Sequence, residues 1–193
     1  MNTLNKKQYH YTALFCEENI WKLIESSLSS KIIIPVDVLF IINQFNSIAL
    51  FDQKKSVGEN PVIWDYHVVL SAQVCNQFVI FDFDSRCEFP GDIHTYFNKT
   101  FVNYNMLDNH YKPFIRSFSA EYFYQHFTSS RQHMKGLIPV SEFPVYDIIK
   151  PKNTTESLTL DACRNFKIDI PESSILTPHK YLEHLQLISK SDQ

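Results

Sequence analysis

The chain has 193 residues, of which 44% are hydrophobic and 15% are aromatic, and this predicts one domain over residues 1–193 with a single sizeable core. Its 18 basic and 21 acidic residues give a net charge of −3, and because the basic residues are scattered, no nucleic-acid partner is expected. No apolar run has the length of a signal peptide or a membrane span. We therefore expect a cytoplasmic protein without a membrane partner, and the nucleus is a second candidate compartment.

The first third of the chain predicts a disordered end, one helix and one buried strand. Residues 1–8 are polar and are predicted to be disordered. Apolar residues at helical spacing predict a helix over 17–28. Residues 31–50 are rich in Ile, Val and Phe, which predicts a short helix or strand that runs into a buried strand. The polar stretch 52–61 is predicted to be a loop.

Two β-branched and aromatic runs follow this loop, "VIWDYHVVL" at 62–70 and "QFVIFDFD" at 77–84. Because a short polar connection joins them, they predict an antiparallel pair of strands. A tight turn near residue 74 would place His67 directly opposite Asp82. The two side chains share a face even if the register shifts by two residues, because side chains alternate along a strand.

The remainder of the chain alternates cap residues with amphipathic runs, which predicts helices separated by a strand and a loop. Asp92 and Ser119 are the predicted N-caps, and Pro178 is the predicted first residue of the last helix. The predicted elements are a helix over 93–101, a strand over 114–118, a helix after Ser119, an extended loop over 136–152, a short helix over 158–166 and a final helix ending near 188. These elements predict an α+β fold, with a mainly antiparallel sheet flanked by helices.

Cysteine chemistry is the first candidate for function. The four cysteines lie far apart and form no CxxC pair, so we expect free thiols in a reducing compartment, with no metal site and no cofactor. Cys75, Cys87 and Cys163 are interpreted as ordinary small residues. Cys16 differs because a helix begins there, and free N–H groups at a helix N-terminus lower a thiol pKa and favour a nucleophilic thiolate.

A thiol nucleophile needs a base, and His67 is the histidine that lies within a hydrophobic strand. A core histidine bonded to a backbone carbonyl is the alternative interpretation of this residue. Asp82 favours the catalytic interpretation, because a carboxylate in an apolar strand also needs a partner. Asp84 is interpreted as a cap of the following turn. Cys16, His67 and Asp82 in this order are typical of papain-like and transglutaminase-like enzymes.

Four motifs carry a more specific resemblance: "CEENIWKL" (16–23), "PVIWDYHVV" (61–69), "FDFDSRCEFP" (81–90) and "SRQHMK" (130–135). Over about residues 9–150 the chain resembles the protein N-terminal glutamine amidohydrolase family. The resemblance implies hydrolysis of the side-chain amide of an N-terminal glutamine to glutamate, with release of ammonia through a cysteine thioester. It also implies a product that feeds an N-terminal degradation signal, and a catalytic triad of Cys16, His67 and Asp82.

A substrate with a free N-terminus needs an anion to bind its α-ammonium group. Glu17, Glu18 and Asp65 are the candidates, because two adjoin the nucleophile and one precedes the base. Acidic residues in a first helical turn are favoured by the helix dipole in any case, whereas Asp65 is predicted to share a strand face with His67 and is preferred. Trp64 alternates to the opposite face, where it packs, or walls the pocket if its strand lies at a sheet edge.

Two other function classes remain open. The same residues could catalyse peptide hydrolysis or transglutamination, and a non-catalytic module that binds protein N-termini is the alternative without chemistry.

Arg131 could pair with a carboxylate near the site, and His133 is predicted to fix a loop by a hydrogen bond. The expected partners are proteins or peptides with a free N-terminal glutamine, and the expected oligomeric state is a monomer.

Overall fold

The computed structural model describes residues 4–152 and 156–191. In chain order its strands are β1 (Ile34–Ile42), β2 (Ile48–Leu50), β3 (Val62–Trp64), β4 (His67–Val74), β5 (Gln77–Phe81), β6 (Gly91–Asp92), β7 (Phe114–Ser119), β8 (Phe127–Thr128), β9 (Leu158–Thr159) and β10 (Ser173–Leu176). Its helices are α1 (Cys16–Ser27), α2 (Ile93–Thr100), α3 (Ala120–His126), α4 (Leu160–Arg164) and α5 (Pro178–Ser191).

A six-stranded sheet in the order β10-β7-β1-β4-β5-β6 divides the core into two layers. Every neighbouring pair in it is antiparallel. Because side chains alternate along a strand, Phe40 of β1 faces the layer that contains α1 and α3, whereas Leu39 faces the layer that contains α2 and α5. The predicted α+β class, an antiparallel sheet flanked by helices, is confirmed.

Helix α1 begins at Cys16 and packs its apolar face on the sheet, where Ile20 and Leu23 are fully buried. The turn before it contains Leu14 at a φ of 70°, a left-handed conformation that a bulky side chain seldom adopts. Asn19 holds this turn in place, because its side chain accepts a hydrogen bond from the Thr12 N–H and donates one to the Thr12 carbonyl, both at 2.8 Å. The position of Cys16 is thus fixed by the packing of α1 after it and by the Asn19–Thr12 hydrogen bonds that hold the turn before it.

The hairpin of β4 and β5 differs in register from the prediction. Cys75 and Asn76 both have positive φ, of 51° and 62°, as in the two-residue turns whose twist suits a hairpin. This turn pairs Val74 with Gln77, so Asp82 lies diagonal to His67 instead of directly opposite it. The predicted register was wrong by two residues, and the shared face of the two side chains was correct.

The predicted strand over 62–70 is in fact two strands. β3 pairs with β2 in a separate small sheet, whereas β4 belongs to the main sheet. The chain changes direction at Asp65 and Tyr66, and the alternation of faces does not continue across this break. The prediction that Asp65 shares a strand face with His67 is therefore wrong. Residues 31–50 similarly form two strands, β1 and β2, and no helix.

The predicted N-caps are confirmed. Asp92 accepts a hydrogen bond from the Thr95 N–H at 2.8 Å, and Ser119 accepts one from the Tyr122 N–H at 3.1 Å. Each bond satisfies one backbone donor that a helix leaves free at its start. None of the described helices combines the length and the hydropathy that a membrane span requires.

The N-terminal segment also differs from expectation. Residues 6–8 form a 3₁₀ turn, although disorder was predicted over 1–8; residues 1–3 lie outside the described part of the chain. The turn is closed by a capping box, in which the Asn5 side chain accepts from the Lys7 N–H and the Gln8 side chain accepts from the Asn5 N–H. Each of these reciprocal bonds satisfies a backbone N–H group at the start of the turn, and this holds the turn together.

We predict that Phe40→Ala lowers the free energy of unfolding by about 3–5 kcal/mol, because the ring is fully buried against Phe118 and Phe123 and its removal leaves a cavity. Urea unfolding followed by circular dichroism measures the change. Val57→Ala is the control, because Val57 is 81% exposed and its truncation should change stability by less than about 0.5 kcal/mol. Equal losses in the two variants would contradict the assigned core.

Candidate active site

The predicted nucleophile and base open onto one small cavity. Cys16 is the first residue of α1, His67 is the first residue of β4, and Asp82 directly follows β5 behind His67. The cavity has a volume of about 100 Å³ and is lined by Leu14, Cys16, Trp64, Asp65, Tyr66, His67, Asp84, His133 and Met134. The structure thus brings together three residues that are up to 66 positions apart in the sequence.

His67 and Asp82 form a buried pair. The Nε2 atom of His67 lies 2.9 Å from Oδ1 of Asp82, and the side chains are 2% and 1% exposed. Asp82 is held in turn by Tyr96, whose hydroxyl donates to Oδ2 at 2.8 Å, and by Gln53, whose Nε2 donates to the same oxygen at 3.4 Å. Tyr96 and Gln53 were not predicted as site residues, because both lie outside the motif that contains Asp82.

The two groups of this pair shift each other's pKa. Burial alone would lower the pKa of His67, but the charge of Asp82 and its hydrogen bond outweigh burial and raise it. Burial would likewise raise the pKa of Asp82, but the charge and hydrogen bond of His67 lower it. The ionised pair is therefore favoured. Since Nε2 is bonded to Asp82, Nδ1 is the ring nitrogen left to exchange a proton with the cavity.

The thiol of Cys16 does not have the low pKa that the helix N-terminus led us to expect. Although Cys16 is partly exposed to the cavity, burial of its sulfur raises the pKa well above its ordinary value, and the charges of Glu17 and Asp84 raise it further. A hydrogen bond from the Val68 backbone acts in the opposite direction. The helix dipole is outweighed, so the resting thiol is protonated and needs a base to remove its proton.

Trp64 forms one wall of the cavity. Its ring stacks on the ring of His67, with the centroids 5.4 Å apart and an angle of 16° between the planes. The prediction that Trp64 packs on the face opposite His67 is wrong, because the break between β3 and β4 cancels the alternation. The other prediction, that it walls the pocket, agrees with this position. The stacking fixes the plane of the imidazole ring.

Glu17 lies behind Cys16 in a network that sequence analysis did not detect. Its side chain is fully buried, and its Oε2 accepts hydrogen bonds from the Tyr66 hydroxyl at 3.0 Å and from the Cys16 thiol at 3.6 Å. Its Oε1 lies 3.7 Å from Nε2 of His133. Burial raises the pKa of Glu17 to about 7. Glu17 is not among the residues that line the cavity.

Glu18 is held by a buried ion pair instead of facing the cavity. Arg131 donates from Nε to Oε1 at 2.9 Å and from Nη2 to Oε2 at 2.8 Å, the bidentate arrangement that arginine forms best. Arg131 also donates to the carbonyls of Pro144 and Tyr146. The expectation that Arg131 pairs with a carboxylate near the site agrees with this contact, and both oxygens of Glu18 are occupied.

Two further carboxylates line the cavity. Asp65 stands at its mouth with a side chain that is 58% exposed, and its ion pair with Arg164 is long, at 3.7 Å. Asp84 lies deeper and accepts a hydrogen bond from the Tyr11 hydroxyl at 2.6 Å. The interpretation of Asp84 as only a turn cap missed this position. Asp84 alternates with Asp82 along the chain, which predicts a shared face with His67, but its place near the end of the strand favoured the cap.

A larger polar groove continues from the mouth of the cavity. It has a volume of about 620 Å³ and shares Asp65 with the small cavity. Its lining is made of amide and charged side chains with one aromatic ring: Asn43, Gln44, Asn46, Asp65, Asp161, Arg164, Asn165, Phe166 and Lys167. Such groups can hydrogen-bond an extended polypeptide. Across 4–152 and 156–191, no cluster of three or more His, Cys, Asp or Glu side chains could hold a metal ion.

Comparison with known proteins gives one consistent result. The model of a family described as N-terminal glutamine amidase matches residues 11–170. Three proteins named Protein N-terminal glutamine amidohydrolase align with the chain: the Danio rerio protein is 35% identical over 140 residues, the Homo sapiens protein 34% over 129, and the Drosophila melanogaster protein 32% over 132. These alignments cover 69%, 65% and 65% of the chain, and 67%, 62% and 63% of the relatives.

We predict that Arg131→Met lowers the free energy of unfolding by about 3–5 kcal/mol, because it leaves the fully buried Glu18 carboxylate without a partner. Arg164→Met is the matched control, because Arg164 pairs with Asp161, which is 83% exposed, and such a pair contributes about 1 kcal/mol or less. Urea unfolding measures both. Removing both charges with Glu18→Leu and Arg131→Met should recover part of the loss, and no recovery would contradict an uncompensated charge as its cause.

Proposed function

The chain belongs to the N-terminal glutamine amidase family, and we propose that it hydrolyses the side-chain amide of an N-terminal glutamine to glutamate and releases ammonia. The observation that carries the proposal is the convergence of Cys16, from the start of α1, and the buried His67–Asp82 pair on one narrow cavity. This arrangement supplies a nucleophile and a positioned base for acyl transfer.

The first step forms a thioester. Nδ1 of His67 takes the proton of the Cys16 thiol as the sulfur attacks the carboxamide carbon, which gives a tetrahedral oxyanion. The same Nδ1 then returns the proton to the amide nitrogen, the carbon–nitrogen bond breaks, and ammonia leaves. The raised pKa of the resting thiol makes this proton transfer necessary. Asp82 stabilises the imidazolium that exists between the two transfers.

The second step hydrolyses the thioester. His67 takes a proton from a water molecule as the water oxygen attacks the thioester carbon. When the carbon–sulfur bond breaks, that proton passes to sulfur, and the γ-carboxylic acid of glutamate is released and loses its remaining proton to solvent. Backbone N–H groups at the start of α1, including that of Cys16, would receive the oxyanion in both steps, since the N-cap residue Phe15 offers no competing side-chain acceptor. Losing one such donor costs about 3 kcal/mol of transition-state stabilisation.

The size of the cavity supports attack on a side chain. A volume of about 100 Å³ suits one carboxamide side chain and leaves no room for a polypeptide to pass through. The α-ammonium of a bound glutamine lies several bonds from the reacting carbon and must therefore stay near the mouth. Asp65 is the exposed carboxylate there, so we assign it as the ammonium ligand. The chain that follows the glutamine would then enter the polar groove that shares Asp65.

The proposed reaction implies a class of substrates, and we add a proposed compartment and oligomeric state. The substrates would be proteins or peptides whose N-terminal glutamine has become free, and the product exposes an N-terminal glutamate that feeds an N-terminal degradation signal. A net charge of −3 and scattered basic residues support a protein that acts without nucleic acid. We place it in the cytoplasm, and in the nucleus as a second compartment, and expect it to act as a monomer.

We predict that Cys16→Ala and His67→Ala each lower kcat/KM for ammonia release from a short peptide that starts with glutamine by about 10⁴- to 10⁶-fold, because the nucleophile or base is lost. Mass spectrometry and ammonia detection measure the conversion. Matched peptides with N-acetyl-glutamine, N-terminal asparagine or internal glutamine should stay unchanged.

Cys75→Asn is the control for this experiment, because Cys75 is an exposed thiol in a left-handed turn conformation that asparagine tolerates. It should keep wild-type activity. Peptide cleavage or amine incorporation in place of ammonia loss would favour a peptidase or a transglutaminase. Tight binding of the peptide without any chemical change would favour a module that only binds N-termini.

We predict that Asp65→Asn lowers kcat/KM for the same peptide by about 10- to 100-fold, because a charged hydrogen bond to the α-ammonium is lost. Asp161→Asn serves as the control, since Asp161 lines the same groove but not the cavity, and it should change kcat/KM by less than about threefold. If Asp65→Asn is neutral while Asp84→Asn removes activity, the deeper carboxylate holds the ammonium group.

A further inference from the structure

A second polar network, separate from the His67–Asp82 pair, contacts the nucleophile. Glu17 receives hydrogen bonds from Cys16 and Tyr66 on one oxygen, and the Tyr66 hydroxyl also lies 3.4 Å from Nε2 of His133. Tyr66 and His133 line the cavity together with Cys16. The proposed reaction uses none of Glu17, Tyr66 and His133, so their role is unassigned by that mechanism.

Burial and an unpaired oxygen indicate that Glu17 carries a proton. Its Oε1 is buried and has no hydrogen-bond partner among the described residues, which would be costly for an ionised carboxylate. A proton on Oε1 would be directed at Nε2 of His133, 3.7 Å away. The pKa values agree, because burial raises that of Glu17 to about 7 and lowers that of His133. Glu17 is then protonated below about pH 7, and the lowered pKa of His133 favours its neutral form.

The other charged or titratable groups near Glu17 do not neutralise it. They are Cys16, Glu18, Tyr66, His133, Tyr146 and Cys163. Glu18 is already compensated by Arg131, and the tyrosines and cysteines are acids. Among the described residues, His133 is the group that could become a cation beside a negative Glu17, and burial lowers its pKa. A negative Glu17 would also stand beside the sulfur that must become a thiolate, and like charges at this distance oppose each other strongly.

We propose that Glu17 is a positioning residue for Cys16, a neutral carboxylic acid held between Tyr66 and His133 that orients the thiol and keeps a second negative charge away from the thiolate. The inference deepens the proposed function and rests on it for its catalytic meaning. It gives His133 of the "SRQHM" segment a role, since this ring faces the acid that touches the nucleophile. Ionisation of Glu17 then suppresses the thiolate as the pH rises.

The test measures thiolate formation directly and needs no turnover. Wild type and Glu17→Gln are treated with iodoacetamide from pH 5.5 to 8.5, and the alkylation rate of the Cys16 peptide is followed by mass spectrometry. Glutamine keeps the shape and the acceptor oxygen but cannot ionise. The ratio of the Glu17→Gln rate to the wild-type rate should be near one at pH 5.5 and rise to about tenfold or more by pH 8.5, because a like charge within ~4–6 Å shifts a pKa by roughly 1–3 units.

The exposed thiol of Cys75 is an internal control, and its alkylation should have the same pH profile in both proteins. If Glu17→Gln does not fold, Tyr66→Phe provides the second test. The Tyr66 hydrogen bond lowers the pKa of Glu17, so its loss should keep Glu17 neutral to higher pH and raise Cys16 alkylation at pH 8 above that of wild type.

Parallel alkylation profiles, with a ratio that does not change with pH, would overturn the inference and leave Glu17 a structural residue. This outcome is distinguishable from failure of the proposed function. A protein that shows the pH-dependent ratio but deamidates no glutamine peptide retains the coupling of Glu17 to Cys16 and loses only the assigned substrate. A protein that deamidates the peptide with a constant ratio retains the function and loses the coupling.

Discussion

The first turn of α1 buries polar side chains that could not remain there without partners from elsewhere in the fold. Asn19 is bonded to Thr12, and Glu18 is paired with Arg131. An unpaired polar or charged group in the interior is destabilising by several kcal/mol. The fold is therefore stable only when these contacts are formed. They join the start of α1 to the loop before it and to a segment more than 100 residues later.

Burial of polar and charged groups also determines which charges act on the Cys16 sulfur. Cys16 shares the cavity with His67, whose pair with Asp82 favours charge, and it contacts Glu17, an acid whose pKa is raised by burial to about 7. In a desolvated site each of these charges acts on the sulfur with little screening. A thiol whose own pKa is raised by burial can still act as a nucleophile if an adjacent imidazole takes its proton and no further negative charge opposes the thiolate.

The break between β3 and β4 shapes one wall and the mouth of the cavity. It turns Trp64 onto the ring of His67 and leaves Asp65 exposed at the mouth, where the small cavity meets the polar groove. A continuous strand would have sent these two side chains to opposite faces of one sheet. Rigid strands thus hold the His67 imidazole, and the irregular connection beside them presents Trp64 and Asp65 to the cavity.

Much of this could be predicted from the sequence, because hydrophobic periodicity and cap residues act locally. They identified α1, the β4–β5 pair and the N-caps Asp92 and Ser119, and the motifs pointed to Cys16 and His67 through residue type and position alone. The register of the hairpin, the break at Asp65 and the direction of the Cys16 pKa shift were decided only by the tertiary structure. The register and the break depend on the geometry of the backbone turns, and the pKa shift depends on desolvation by residues distant in sequence. Neither cause produces a pattern of residue types that can be recognised in the sequence.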